Sequence, residues 1–165
     1  MPQIRGPGVK PAFAVLQQHY PKSETRAELY ADIGWSDVVD HAAFKDTCAI
    51  RMSVGLLRAH VPLAGADMKA KAGPLKDQRI ETGQGRLSNI LKRRWGPPEV
   101  YKGENAARDG IKQRTGVVSF FRIRPFGIPS DGGHIDLVFP AGNGIQQCAR
   151  SCYFESAEIW FWPLP

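Results

Sequence analysis

The stretch "DTCAIRMSVGLLRAHV", residues 46–61, decides the fold prediction. Its apolar residues recur at spacings of four, three and four, which predicts one apolar face of an α-helix, formed by Ile50, Val54, Leu57 and Val61. Asp46 or Thr47 can accept the free N–H groups of the first turn. Cys48 therefore lies at the N-terminus of the predicted helix, where its sulfur is either a buried filler or a nucleophile.

The order of the other predicted elements indicates the fold class. Helices are predicted before and after this segment, over residues 13–20, 23–34 with Ser23 as the cap, 85–96 and 104–116. Short β-branched and aromatic runs between turns predict strands over residues 116–126, 134–140 and 156–165. Residues 1–12 are predicted to be an irregular lead-in and residues 62–85 a long loop. Helices first and strands later predict an α+β fold, with the helices packed on a C-terminal antiparallel sheet.

Length and composition bound the function. A chain of 165 residues with 42% hydrophobic content predicts a single domain over residues 1–165 that buries a sizeable core. The net charge of +6 suits a polyanionic partner, such as nucleic acid, an anionic membrane face or an acidic wall polymer. The start lacks the pattern of a secretory signal, and no apolar run is long enough to span a membrane. Charge alone does not choose among these partners, and we expect no membrane partner and no cofactor.

A thiol at a helix N-terminus lies near unpaired N–H groups and the positive end of the helix dipole, and both favour the nucleophilic thiolate. A base is available in "SDGGHIDLVFP", where Gly132 and Gly133 lead into a strand that begins at His134. Such a histidine is well placed to deprotonate a thiol on a facing helix. Asp136 points to the same side of the strand and could orient the imidazole.

The other two cysteines, Cys148 and Cys152, are close enough to close a small loop, which hints at an oxidising destination. Reduced, buried cysteines are the alternative. A metal site is disfavoured because the nearest histidine is His134 and four ligands at finger-like spacing are missing.

Three stretches, "DTCAIRMSVGL", "GGHIDLVF" and "SAEIWFWPLP", resemble the fourth family of type VI secretion amidase effectors. The resemblance runs from about Cys48 to the C-terminus. It implies a papain-like fold of the NlpC class, with Cys48 as nucleophile, His134 as base and no metal or cofactor. It also implies a disulfide between Cys148 and Cys152.

The same resemblance implies a substrate and partners. Such effectors cleave peptidoglycan stem peptides, typically between D-glutamate and meso-diaminopimelate. They are made in the cytoplasm without a signal peptide and delivered by the secretion apparatus into the periplasm of a rival cell. A dedicated immunity protein in the producing cell blocks the active site.

One feature departs from the family pattern. The family's third catalytic residue is expected in the loop between the two cysteines, but residues 149–151 carry no carboxylate. We favour Asp136 as the orienting group. The alternatives are a Cys–His dyad without such a group, or one of four other side chains: Asn143, Gln146, Gln147 and Glu155.

Two other functions remain open at this point. A papain-like acyltransferase or transglutaminase would use the same Cys–His pair on protein substrates. A nucleic-acid-binding module would use the basic residues of one helix, Arg86, Lys92, Arg93 and Arg94, although no known motif supports it.

Overall fold

The computed structural model of the protein describes residues 8–123 and 132–165. The described residues form five α-helices, α1 Phe13–His19, α2 Arg26–Ile33, α3 Cys48–Arg58, α4 Gln84–Trp95 and α5 Glu104–Ile111. Two short 3-10 helices, Ser36–Val38 and Ala42–Phe44, connect α2 to α3. None of the helices in this part of the chain is long and apolar enough to cross a bilayer.

Seven strands alternate with and follow these helices in the described ranges, β1 Met68–Lys69, β2 Arg79–Ile80, β3 Glu99–Tyr101, β4 Gly116–Ile123, β5 His134–Pro140, β6 Gln146–Cys148 and β7 Ser156–Pro163. The first two pair with each other. The other five form an antiparallel sheet in the order β3-β7-β4-β5-β6. Helices α1 to α4 precede nearly all of this sheet, so the predicted α+β fold is confirmed.

The sheet separates two apolar cores because successive strand residues point to opposite faces. Along β5, Ile135 and Leu137 pack with α1, α3 and α4, whereas Val138 packs with α5 on the other face. Strand β4 shows the same alternation, with Val117 on the first side and Val118 on the second. The sheet is therefore covered on both faces, and α3 lies on the face opposite to α5.

Helix α3 is buried on every side rather than along one stripe. All residues from Cys48 to Leu57 are buried, including Arg51 and Ser53. A helix apolar all round belongs in a core, and the polar residues in it are satisfied by hydrogen bonds. The Arg51 guanidinium donates to Thr47 Oγ1 and to the Pro21 carbonyl, each at 2.8 Å. The helix ends at Arg58, three residues before the predicted end.

Other boundaries differ from the prediction for local reasons. Helix α2 is capped by Thr25, not Ser23, because Thr25 and Glu28 form a reciprocal capping box. Helix α5 ends at Ile111, because Lys112 adopts a left-handed φ of 55°. The predicted loop 62–85 contains β1 and β2. Residues 1–7 of the predicted lead-in lie outside the described residues. So do residues 124–126 of the strand predicted over 116–126.

Candidate functional site

Cys48 is the first residue of α3 and is 5% exposed. Its backbone N–H donates a 3.1 Å hydrogen bond to Oδ1 of Asp46, which supplies the acceptor that the helix terminus needs. Thr47 makes no capping bond with its side chain. Cys48 is also the free cysteine of the chain, since Cys148 and Cys152 are joined in a disulfide.

His134 is the first residue of β5 and is held between two rings. It pairs with Phe120 across β4 and β5, and the two rings stack with an interplanar angle of 13°. The ring of Tyr153, just after the disulfide, meets the imidazole edge to face at a centroid distance of 5.0 Å. Nε2 of His134 lies 2.7 Å from Oδ2 of Asp136. The imidazole orientation is therefore set on its faces by aromatic contacts and at Nε2 by a carboxylate.

Asp136 is fully buried, and its charge is compensated by backbone N–H groups. Leu137 donates to Oδ1 at 2.7 Å and Ala149 donates to the same oxygen at 3.0 Å. Arg150 and Ser151 donate to Oδ2 at 3.2 and 3.0 Å. Three of these four donors belong to the loop that the disulfide closes.

This arrangement gives the disulfide loop a structural role although it carries no carboxylate. The backbone N–H groups of the loop donate to Asp136, which lies on the neighbouring strand β5. A side chain of the loop also anchors it, because the Arg150 guanidinium donates to the Lys22 carbonyl between α1 and α2. The loop therefore connects β5 to the segment that packs along α3.

The packing of α3 on β5 brings Cys48 against Ile135, the residue that follows His134. The backbone N–H of Ile135, next to His134, acts directly on the Cys48 sulfur and favours its ionised form. Of the five candidates for an orienting group, the Asp136 carboxylate is the one that hydrogen-bonds the imidazole. Asn143, Gln147 and Glu155 are exposed, and the Gln146 amide donates to two carbonyls at α5, those of Arg108 and Lys112.

The surroundings of Cys48 favour its protonated form. Burial and the nearby Asp46 carboxylate raise the pKa of Cys48 to about 12, although the N–H groups of Ile135 and Ala49 act in the opposite direction. The N–H of Ala49, at the helix N-terminus, favours the thiolate as expected, but burial raises the pKa of Cys48 by more. Ionisation of Cys48 needs a base at the moment of reaction.

Gly133, directly before His134, is packed closely against two neighbouring segments. A side chain at Gly133 would collide with Oε1 of Gln84 and with the Phe120 carbonyl. The close approach at Gly133 is thus made by α4 and β4 rather than by a ligand. Gln84 is also tied to β4, because its Nε2 donates to Oγ of Ser119 at 2.6 Å.

Three residues of the site were missed by sequence reasoning as site residues: Asp46, Tyr153 and Arg150. Asp46 could have been found, since an acid two residues before a nucleophilic cysteine reaches its N–H. The contacts of Tyr153 and Arg150 depend on the path of the disulfide loop, which the sequence pattern does not predict.

Some basic side chains of α4 are engaged by other residues of this chain. The Arg86 guanidinium bonds Glu81 at 2.8 Å and lies 3.4 Å from Asp67, and Lys92 lies over the Trp160 ring. The described residues contain no cluster of three or more histidine, cysteine or acidic side chains that could hold a metal ion.

An antiparallel sheet packed against a buried helix that begins with a cysteine gives the protein a papain-like α+β fold of the NlpC class. Residues 44–162 match the model of one family, Tae4, described as "Type VI secretion system (T6SS), amidase effector protein 4". The chain belongs to this family. It is a cysteine-type amidase effector that acts on peptidoglycan and is delivered to target cells.

Solved structures support the fold. The type VI effector Tae4 from Enterobacter cloacae is similar with a TM-score of 0.73 and 18% identity, covering 96% of this chain and 99% of that one. Tae4 in the effector–immunity system Tae4/Tai4 from Salmonella typhimurium has a TM-score of 0.71 and 20% identity, covering 95% and 100%. A search of curated protein sequences finds no match.

Raising the pH above about 9 is expected to destabilise the folded protein. The unfolded thiol ionises near its ordinary pKa of 9, whereas burial raises the pKa of the folded Cys48 thiol to about 12. The unfolded chain therefore binds fewer protons in this window, and the free energy of unfolding falls as the pH rises. Burial also raises the pKa of Tyr20 above its ordinary 10, which adds a loss of the same sign.

Urea unfolding at intervals between pH 7.5 and 10.5 checks this expectation. Cys48→Ala should lose less stability across the window than the native protein, and Tyr20→Phe should isolate the phenol's share. Parallel curves for the native protein and Cys48→Ala would show that the buried thiol does not titrate as stated.

Proposed function

We propose that Cys48 is the nucleophile, His134 the general base and Asp136 the orienting acid of this amidase. The observation that carries the proposal is the 2.7 Å hydrogen bond between Nε2 of His134 and the buried Asp136 carboxylate. Ile135, which lies between these two residues, directs its N–H at the Cys48 sulfur. Since Asp136 accepts at Nε2, the proton of a neutral imidazole resides there. Nδ1 is then the nitrogen that accepts the thiol proton.

The reaction follows from these assignments. Nδ1 of His134 takes the Cys48 proton as the sulfur attacks the amide carbonyl carbon. The N–H of Cys48 donates to the oxyanion of the tetrahedral intermediate. The imidazolium returns its proton to the leaving amine as the C–N bond breaks, which leaves a thioester. Water, deprotonated by His134, then attacks the thioester and releases the carboxylic acid and the free thiol.

We infer that the bond cut joins D-glutamate to meso-diaminopimelate in the peptidoglycan stem peptide. Membership of the family supports the peptidoglycan substrate, and the net charge of +6 is compatible with an acidic polymer. The chain would act as one domain, without a metal, a nucleic-acid partner or a membrane partner.

Digestion of purified Gram-negative peptidoglycan, followed by mass spectrometry of the released muropeptides, tests the bond assignment. The expected products end at the D-glutamate γ-carboxylate and begin at a free amine of diaminopimelate. A matched control is peptidoglycan stripped of its stem peptides, from which nothing should be released. New reducing ends in that control would indicate glycan cleavage. Products that carry an added amine acceptor would indicate the acyltransferase instead.

The place of action and the immunity partner are part of the same proposal. The protein would be made in the cytoplasm and act in the periplasm of the target cell, and an immunity protein would bind over its active site. The solved structures of similar effectors include complexes of Tae4 with the immunity protein Tai4, which supports this proposal.

Removing the disulfide is expected to lower the amidase rate more than the stability. The bridge closes a loop of only three residues, so its effect on the unfolded chain is small. The same loop supplies three N–H donors to Asp136, and a displacement of about 1 Å there can cost up to about 100-fold in rate.

The double variant Cys148→Ser/Cys152→Ser, compared with the native protein by initial rate and by thermal melting, checks this. Unchanged rates with a lowered melting temperature would mean that the bridge only stabilises the fold. Arg150→Ala is the matched control, because it releases the Lys22 carbonyl and keeps the bridge.

A further inference from the structure

Asp46 occupies the position beside Cys48 that the reaction needs for the carbonyl oxygen. Its Oδ1 accepts the Cys48 N–H at 3.1 Å. The same carboxylate acts on the thiol by its charge and by hydrogen bonding. One exposed acidic side chain therefore faces both groups that must change their partners when the substrate is attacked.

A carboxylate oxygen and an oxyanion compete for this N–H. Both carry negative charge, so they cannot share the donor at hydrogen-bonding distance, and the charge of Asp46 also opposes formation of the neighbouring thiolate. Asp46 lies in the irregular segment between the second 3-10 helix and α3 and is exposed to solvent. It can rotate away without disturbing a core.

We propose that Asp46 restrains the resting enzyme: its carboxylate occupies the oxyanion position and faces the Cys48 thiol until the substrate's carbonyl displaces it. Asp46 is thus a positioning residue that acts through Cys48, and this inference rests on the proposed function of Cys48. The substrate that displaces the carboxylate brings its own oxygen to the N–H, which couples thiol activation to occupancy of the site.

The competing explanation is an ordinary helix cap. Asp46→Asn separates the two, because asparagine caps a helix as well as aspartate does but carries no charge. The remaining charged and titratable groups around this corner stay the same in that variant: Tyr20 against α3, Arg51 within α3, His134 and Asp136 on β5, and Arg150 on the disulfide loop. Asp109→Asn is the matched control, since exposed Asp109 lies on α5 across the sheet.

The experiment measures the rate at which iodoacetamide alkylates Cys48 in the folded protein at pH 7.5, read by intact mass. Cys48 is the free cysteine, so one added group reports it alone. Asp46→Asn should react about tenfold faster than the native protein, because removing the neighbouring negative charge lowers the thiol pKa. Asp109→Asn should react at the native rate.

An alkylation rate for Asp46→Asn within about twofold of the native rate would overturn the proposal, because the expected change is about tenfold. Asp46 would then be only a helix cap. Asp46→Ala extends the test. If it also speeds alkylation while its melting temperature falls, the charge and the cap are separate contributions of the same side chain. Alkylation does not depend on which bond the enzyme cuts, so a failed peptidoglycan digest contradicts the proposed function alone.

Discussion

Cys48→Ala is expected to abolish digestion of peptidoglycan while the protein stays folded. Without the sulfur no thioester forms, and the loss of a nucleophile typically lowers the rate by about 10⁴-fold or more. Alanine fits the site because Cys48 is a small, buried residue at the start of α3, and its N–H still donates to Asp46. The measurement is the release of muropeptides with time, normalised to folded protein by circular dichroism.

Cys48→Ser is the control for this variant. Its hydroxyl keeps the volume and polarity of the thiol but is a far weaker nucleophile with the same base, so we expect it to be nearly as inactive as alanine. Residual cleavage at more than about one tenth of the native rate in both variants would remove Cys48 from the chemistry and leave it as a core residue.

Asp136→Asn is expected to damage both activity and stability. The carboxylate accepts from His134 and from four backbone N–H groups, and an amide would direct its own N–H₂ at some of these donors. Unsatisfied buried donors of this kind cost about 3 kcal/mol. If the amide N–H₂ faces Nε2, the imidazole takes the wrong tautomer, which can lower the rate by about 10⁴-fold.

The activity of Asp136→Asn is measured by initial rate at a temperature at which urea unfolding shows that the variant is folded. Glu155→Gln makes the same chemical change at an exposed acid of the disulfide region and should leave the rate and the stability unchanged. A folded Asp136→Asn variant with native activity would contradict the orienting role and favour a Cys–His dyad.

How far the sequence predicts this site depends on the range of the interactions. The start of α3 at Cys48 and of β5 at His134 follows from local signals, namely apolar periodicity, capping residues and the glycines before the strand. The alternation of side chains along β5 puts Asp136 on the side of His134. These features depend on residues close together in sequence, so the pattern predicts them.

The remainder depends on contacts between distant segments. The amides of residues 149–151 reach Asp136 only because β6 returns beside β5, and β6 is a short, partly polar strand that no pattern predicts. The protonated state of Cys48 depends on how deeply α3 is buried, which the sequence of α3 alone underestimates: Arg51 and Ser53 indicate a polar face, yet both are buried.

The place of β7 in the sheet has a consequence for how the protein is synthesised. The last strand of the chain lies between β3 and β4 and is the partner of both. While a ribosome still holds residues 156–163, β3 has no neighbour in the sheet and β4 has only β5. Folding of this sheet therefore waits until residues 156–163 have left the ribosome, and pairings so distant in sequence form slowly. Until then a nascent chain carries Cys48 without the completed sheet on which α3 packs.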